Sequence, residues 1–189
     1  MNSAQPNRIV SSMKKVRRCS SSRGCQTCPM LNPTDRVSST VTHRQYDVIN
    51  GEHPNFIDCS SANLIYLLTC NKCCLQYVGQ TVQQLRKRLN KHRADILRNL
   101  ASCPVLVKHF NSGLCQGAGF SVQIVEKLAG NGRKDRGGID ASQSSARRER
   151  ETHWMFKLRT IAPYGLNLDP GKYYEYGDNV VAAHFPQLS

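Results

Sequence analysis

Two tyrosines, Tyr66 and Tyr77, flank a Cys-x-x-Cys pair, Cys70 and Cys73, in the stretch NLIYLLTCNKCCLQYVGQT over 63–81. The two residue types carry different chemistry. A phenol donates and accepts hydrogen bonds, and it takes part in proton transfer when its neighbours lower its pKa. Paired cysteine thiolates close around a soft cation such as zinc. Further along the chain, Arg88, His92 and Glu151 add an anion-binding guanidinium, an imidazole able to relay protons and a carboxylate able to hold a hard divalent cation.

The other cysteines form a second pattern. Cys19, Cys25 and Cys28 are spaced x5 and x2, inside a segment rich in Ser, Thr, Asn and Pro. Three thiols need a fourth ligand to complete a closed structural site. Cys59 is the expected fourth, because it precedes the first long apolar run, and His43 is the alternative. The chain has nine cysteines, an odd number, so complete disulfide pairing is impossible and metal ligation is the better reading. A disulfide framework and unligated core cysteines are the competing readings. Cys103 has no expected partner, and Cys74 sits beside Cys73.

These residues must be positioned by regular elements. LIYLLT and QYVGQT read as two strands of a hairpin joined through Asn71 to Cys74. TVQQLRKRLNKHRADILRNL reads as a helix, with Thr81 and Gln84 as a capping box. Leu85, Leu89, Ile96 and Leu100 form its apolar stripe. At ~100° per residue, Arg88 and His92 fall within that stripe, while Arg86, Lys87, Lys91 and Arg93 fall outside it. SCPVLVKHFNSG reads as a shorter helix capped by Ser102 and followed by Gly113, and FSVQIVEKL as a third strand. Residues 129–145 are rich in Gly, Ser and charge, and read as a loop. SSARRERETHWMFKLRTIA reads as the last helix, stopped by Pro163, with Trp154, Leu158 and Ile161 inward. Glu151 lies within about 60° of Trp154, Glu149 faces away, and Phe156 also points outward, toward a second contact.

A net charge of +13 over 189 residues makes a polyanion the natural partner. There is no run of about 18 apolar residues, so no membrane span is expected. The first residues lack the apolar core of a signal peptide, so an intracellular, reducing setting is expected. The reading of the whole is an α+β fold in four parts. A basic, mobile N-terminus covers 1–18, a Cys-rich zinc-binding segment 19–60, the main folded domain 61–170 and a tail 171–189.

Taken in order, LIY (64–66), YVG (77–79), Arg88, a Glu before a Trp and GLN (165–167) resemble the GIY-YIG endonuclease family. The closer resemblance is to the endonuclease domain of Penelope-like retroelements, and it covers about residues 19–168. Leu64 stands where the wider family has Gly. The resemblance implies a small three-stranded antiparallel sheet flanked by helices, and a DNA-nicking phosphodiesterase. It implies that Tyr66 and Tyr77 face the scissile phosphate and that Tyr66 helps deprotonate the attacking water. Arg88 would stabilise the phosphate, Glu151 would bind one Mg²⁺ or Mn²⁺, and Asn167 would support the site; His92 is a candidate proton relay. It also implies a zinc site on Cys70 and Cys73, completed by His109 and by Cys115 where relatives carry a second His, with His92 in reserve.

A tyrosine of ordinary pKa is a poor base at neutral pH, so Arg88, the metal or His92 must lower that value. Expected partners are DNA and a reverse transcriptase domain or its RNA. The DNA substrate and the run KKVRR (14–18) point to the nucleus. The competing class is a non-catalytic zinc module that binds nucleic acid, and a third is a nuclease that processes RNA or DNA junctions.

Overall fold

The computed structural model describes residues 16–20, 24–48, 56–100, 103–130 and 141–168. A short hairpin comes first, β1 (Arg36–Ser38) and β2 (Gln45–Asp47). The central sheet has three antiparallel strands in the order β4-β3-β5, with β3 at Leu64–Cys70, β4 at Gln76–Thr81 and β5 at Phe120–Lys127. Three helices accompany it: α1 (Leu85–Leu97), α2 (Pro104–Phe110) and α3 (Ala141–Leu158). The fold is α+β with a small three-stranded antiparallel sheet.

β3 is apolar on both faces because both faces are covered. Leu64, Ile65, Tyr66, Leu67 and Leu68 are all buried. Successive side chains point to opposite faces. Tyr66 bonds His92 of α1, whereas Glu126, paired with Ile65, bonds Trp154 of α3. A bulge in β5 between the partners of Ile65 and Tyr66 inserts Val125, so Val125 and Glu126 are both buried.

Among the described residues before β3, the only separate cluster is that of Cys19, Cys28 and Cys59. Leu31, Val37, Val48 and Ile57 join the core of the sheet. Residues 30–32 bridge the outer edge of β5, with Asn32 N–H donating to Val122 O at 2.8 Å and Val122 N–H to Met30 O at 2.8 Å. An otherwise unpaired sheet edge is thereby closed.

Helix boundaries differ from the sequence reading. Thr81 ends β4 and pairs with Leu64, so no capping box forms. Gln84 is the N-cap residue, without a side-chain cap. The first turn is tied down by tertiary structure instead: Leu85 N–H donates to Ser61 O and Arg86 N–H to Cys59 O. α1 stops at Leu97, and Leu100, assigned to the apolar stripe, lies beyond it and is exposed. Cys103, not Ser102, is the N-cap residue of α2, with Pro104 opening the helix; Ser102 lies outside the described residues. α3 begins at Ala141, inside the stretch read as a loop, while 131–140 lie outside the described residues. So do 1–15 and 169–189, which hold most of the basic N-terminus and the C-terminal tail.

α3 ends five residues before Pro163. Its stop is a Schellman motif: Thr160 N–H donates to Met155 O, Arg159 N–H to Phe156 O, and Arg159 is left-handed at φ 54°. The chain then turns back, and Asn167 reaches β4. Its Oδ1 accepts from Val78 N–H at 2.8 Å and its amide donates to Val78 O at 2.8 Å. Asn167→Ala strips both partners from a buried stretch of strand, and is expected to lower unfolding free energy by about 2 kcal/mol. Urea denaturation checks this; an unchanged midpoint would refute the tie.

Candidate active site and metal-binding clusters

The β3–β4 pairing sets Tyr66 opposite Gly79 and Leu68 opposite Tyr77. Both tyrosines therefore project from the same face. Gly79 makes room for them. A Cβ there would stand 2.6 Å from the Tyr66 hydroxyl and 2.8 Å from the Tyr77 ring. The glycine of the YVG motif is thus a packing requirement of the two rings.

His92 and Arg88, one helical turn apart on α1, meet the Tyr66 hydroxyl. It lies 2.8 Å from His92 Nε2 and accepts from Arg88 Nε at 3.2 Å. The tautomer of His92 sets the direction of the Tyr66–His92 bond. The His92 ring packs against both tyrosines, at 6.1 and 6.2 Å between centroids. Its Nδ1 is buried without a hydrogen-bond partner among the described residues. On α3, Glu151 lies near Gln80 of β4, whose side chain and backbone favour its charged form. Its charge acts on Tyr66 and Tyr77 and is itself stabilised by Arg88. Tyr66, Tyr77, Arg88, His92 and Glu151 are therefore brought together, and Asn167 braces the strand that carries Tyr77.

Burial governs the protonation states. It pushes the Tyr66 phenol up to about 12, although Arg88 opposes the shift. Burial, with Tyr66 next, raises Tyr77 as well. Neighbours were expected to lower the Tyr66 value; desolvation outweighs them, and the ring stays a neutral phenol at neutral pH. Burial and the Arg88 charge bring His92 down to about 3, so its imidazole is neutral. Burial raises Glu151 from 4.5 to about 7, against the hydrogen bonds from Gln80 and the charge of Arg88.

The cysteines fall into two groups, each with ligand atoms within 4.8 Å of one another, and each can hold a metal ion such as zinc. The first is Cys19, Cys25, Cys28 and Cys59. Its sulfurs lie 3.4 Å (Cys19–Cys28), 3.5 Å (Cys25–Cys59) and 3.7 Å (Cys28–Cys59) apart. A tetrahedron with Zn–S bonds of about 2.3 Å has edges of about 3.8 Å, so the spacing fits. All nine cysteines are free thiols, so no disulfide forms, and His43 is not in the group.

The second group is Cys70, Cys73, His109 and Cys115, with Cys70–Cys115 at 3.8 Å and Cys73 Sγ to His109 Nε2 at 3.5 Å. His92, the reserve ligand, is engaged with Tyr66 instead. Cys74 is excluded because it takes φ 63° in the turn and is exposed, outside the group.

Sequence reasoning missed several participants. Gln80, near Glu151, is oriented by Arg147 Nε at 3.1 Å; the buried Arg147 also bonds Asn63 at 3.1 Å. Glu126, only 6% exposed, accepts from Trp154 Nε1 at 2.7 Å and from Arg150 at 2.9 Å. Alternation from Phe120, Val122 and Ile124 would keep Glu126 on their face of the sheet; the bulge moves it to the opposite face, against Trp154. Cys103, unassigned from sequence, donates toward the Tyr77 hydroxyl at 3.9 Å.

The raised Glu151 value has a consequence for stability. The unfolded carboxyl ionises near 4.5, while the native one keeps its proton to about 7. In that window the native state binds more protons, so stability contributed by this group falls as pH rises and stays lower above it. In magnesium-free protein, Glu151→Gln removes this cost. Its stability advantage should widen from about pH 5 to pH 8, to on the order of 2 kcal/mol, as read by thermal unfolding. Parallel pH profiles for the two proteins would contradict the burial argument. Comparison of the chain with protein-family models, with curated proteins and with solved structures finds no match.

Proposed function

We propose that this chain is a zinc-stabilised, divalent-metal-dependent endonuclease of the GIY-YIG kind, which nicks DNA by hydrolysing one phosphodiester. The observation that carries the reading is the Tyr66 hydroxyl held between Arg88 Nε and His92 Nε2, beside Tyr77 and within the field of Glu151. These groups come from a strand hairpin and two separate helices. A core does not need a tyrosine, a guanidinium, an imidazole and a carboxylate in one place, and burying them is costly without a task.

The site offers one carboxylate and several neutral oxygens, a donor set that suits Mg²⁺, which keeps water and substrate oxygens in its shell. Glu151 is the residue that would hold it, and when bound the ion lowers the pKa of a water and neutralises charge on the leaving oxygen. Arg88 keeps its positive charge beside the phenols and faces the phosphate oxygens with a planar fork of donors. Tyr66 acts as a neutral phenol that orients the attacking water, its hydroxyl held by Arg88 and His92. Tyr77, raised in pKa and packed on His92, orients the phosphate as a donor. The two cysteine groups hold zinc, one tying the hairpin turn to α2 and its following turn, the other tying the N-terminal segment to the start of α1. The place of this activity in retroelement insertion, with a reverse transcriptase as partner and the nucleus as its site, rests on the sequence resemblance.

Supercoiled plasmid with Mg²⁺ or Mn²⁺ tests the reading. Wild type should yield open circles with the divalent cation present and none when it is chelated. Glu151→Gln should lower the rate roughly 10²–10³-fold, as for loss of one charge-stabilising group, with duplex binding retained. Equal binding with no cutting by either protein would favour the non-catalytic module. Elemental analysis tests the zinc sites: two zinc ions per chain are expected, and Cys28→Ser and Cys115→Ser should each lose one. A metal-free protein that still melts cooperatively with residues 24–48 protected would sink the structural role, since such sites contribute about 10 kcal/mol or more.

A further inference from the structure

The β1–β2 hairpin packs against the C-terminal end of α3. Ser39 Oγ donates to Leu158 O at 2.7 Å and the Tyr46 hydroxyl donates to Lys157 O at 3.2 Å. Two of the last carbonyls of the helix are satisfied in this way. Between hairpin and helix lies a cavity of about 530 Å³, within the range of small-ligand sites. Three cations line it, Arg44, Lys157 and Arg159, with two aromatic rings, Tyr46 and Phe156. It shares no lining residue with the tyrosine cluster.

The composition of this wall is specific. Lys157 Nζ sits 4.8 Å from the centres of both the Tyr46 and the Trp154 rings, so its charge is held at the cavity by cation–π contact. Arg159 adds an independent observation. It occupies the C′ position of the Schellman motif at φ 54°, where glycine is the favoured residue. A long cationic side chain is kept there against the backbone preference, and it lines the cavity. Phe156, outward on the helix from the stripe of Trp154 and Leu158, supplies aromatic surface at the same place.

From this juxtaposition we infer a second nucleic-acid site: the cavity holds one nucleotide of a single strand, its base against Phe156 and its phosphate among Arg44, Lys157 and Arg159. Aromatic surface beside a cationic groove is the pattern by which single strands are bound without sequence readout. An anionic peptide would use the cations but not the ring. The inference goes beyond the nicking reaction, because a single strand held here is separate from the phosphodiester cut at Tyr66.

Fluorescence anisotropy with labelled dT12 and rU12, in buffer without Mg²⁺, tests it. Phe156→Ala should weaken binding of the preferred oligonucleotide about tenfold, the size of one base–aromatic stack. Arg159→Gly should weaken it similarly and also raise Tm by about 2 °C, because the left-handed strain is relieved. A purely structural arginine would instead lower Tm and leave affinity alone. Tighter binding of dT12 or of rU12 names the strand, and either supports the site. Wild type that binds neither, variants that bind like wild type, or an Arg159→Gly protein that loses Tm and affinity together would overturn it. Absence of plasmid nicking would overturn the proposed endonuclease and leave this binding result standing.

Discussion

The outer edge of β4 is the constraint on which the candidate site depends. β3 covers one side of this strand, and the other side carries backbone groups that need partners. Two partners arrive from distant parts of the chain. Leu166 N–H donates to Gln76 O, and the Asn167 side chain takes both groups of Val78. Beside them, Arg147 of α3 donates to the Gln80 side chain at 3.1 Å. These bonds blunt the edge of β4 and dock α3, the helix that carries Glu151, along it.

Desolvation sets the chemistry of what is gathered there. Burial keeps Tyr66 and Tyr77 neutral, keeps His92 neutral and leaves Glu151 half-way to protonation at neutral pH. Arg88 is the charge left in the cluster, and it is held on the Tyr66 hydroxyl. In the proposed nuclease, a phosphate and a divalent cation would each offset a penalty already present in this cluster, the first beside Arg88 and the second on Glu151.

The cysteine groups address a different shortage. The described residues from Val16 to Ile57 contribute apolar side chains to the shared core but form only short strands of their own. Cys59 joins this segment to the first turn of α1, since its carbonyl accepts from Arg86 N–H while its sulfur faces Cys25 and Cys28. Any cation bound there would couple the N-terminal segment to the helix that carries Arg88 and His92. The second group likewise couples the turn after β3 to α2, on the strand that carries Tyr66.

Periodicity alone was enough to place the three strands of the sheet, to turn Arg88 and His92 inward with Leu85 and Leu89, and to separate Glu151 from Glu149. Spacing alone was enough to collect Cys19, Cys25 and Cys28. These are short-range properties, determined by side-chain repeat along one element. What the tertiary structure decided is everything that depends on a partner far along the chain. It chose Cys59 over His43, gave His92 to Tyr66 rather than to a metal group, and replaced the capping box at Thr81 with the carbonyls of Ser61 and Cys59. It also moved Glu126 to the opposite face of the sheet through a bulge and raised Tyr66 where its neighbours were expected to lower it. Hydrogen-bond partners and loss of water are set by the packing of distant segments, and no local pattern records them.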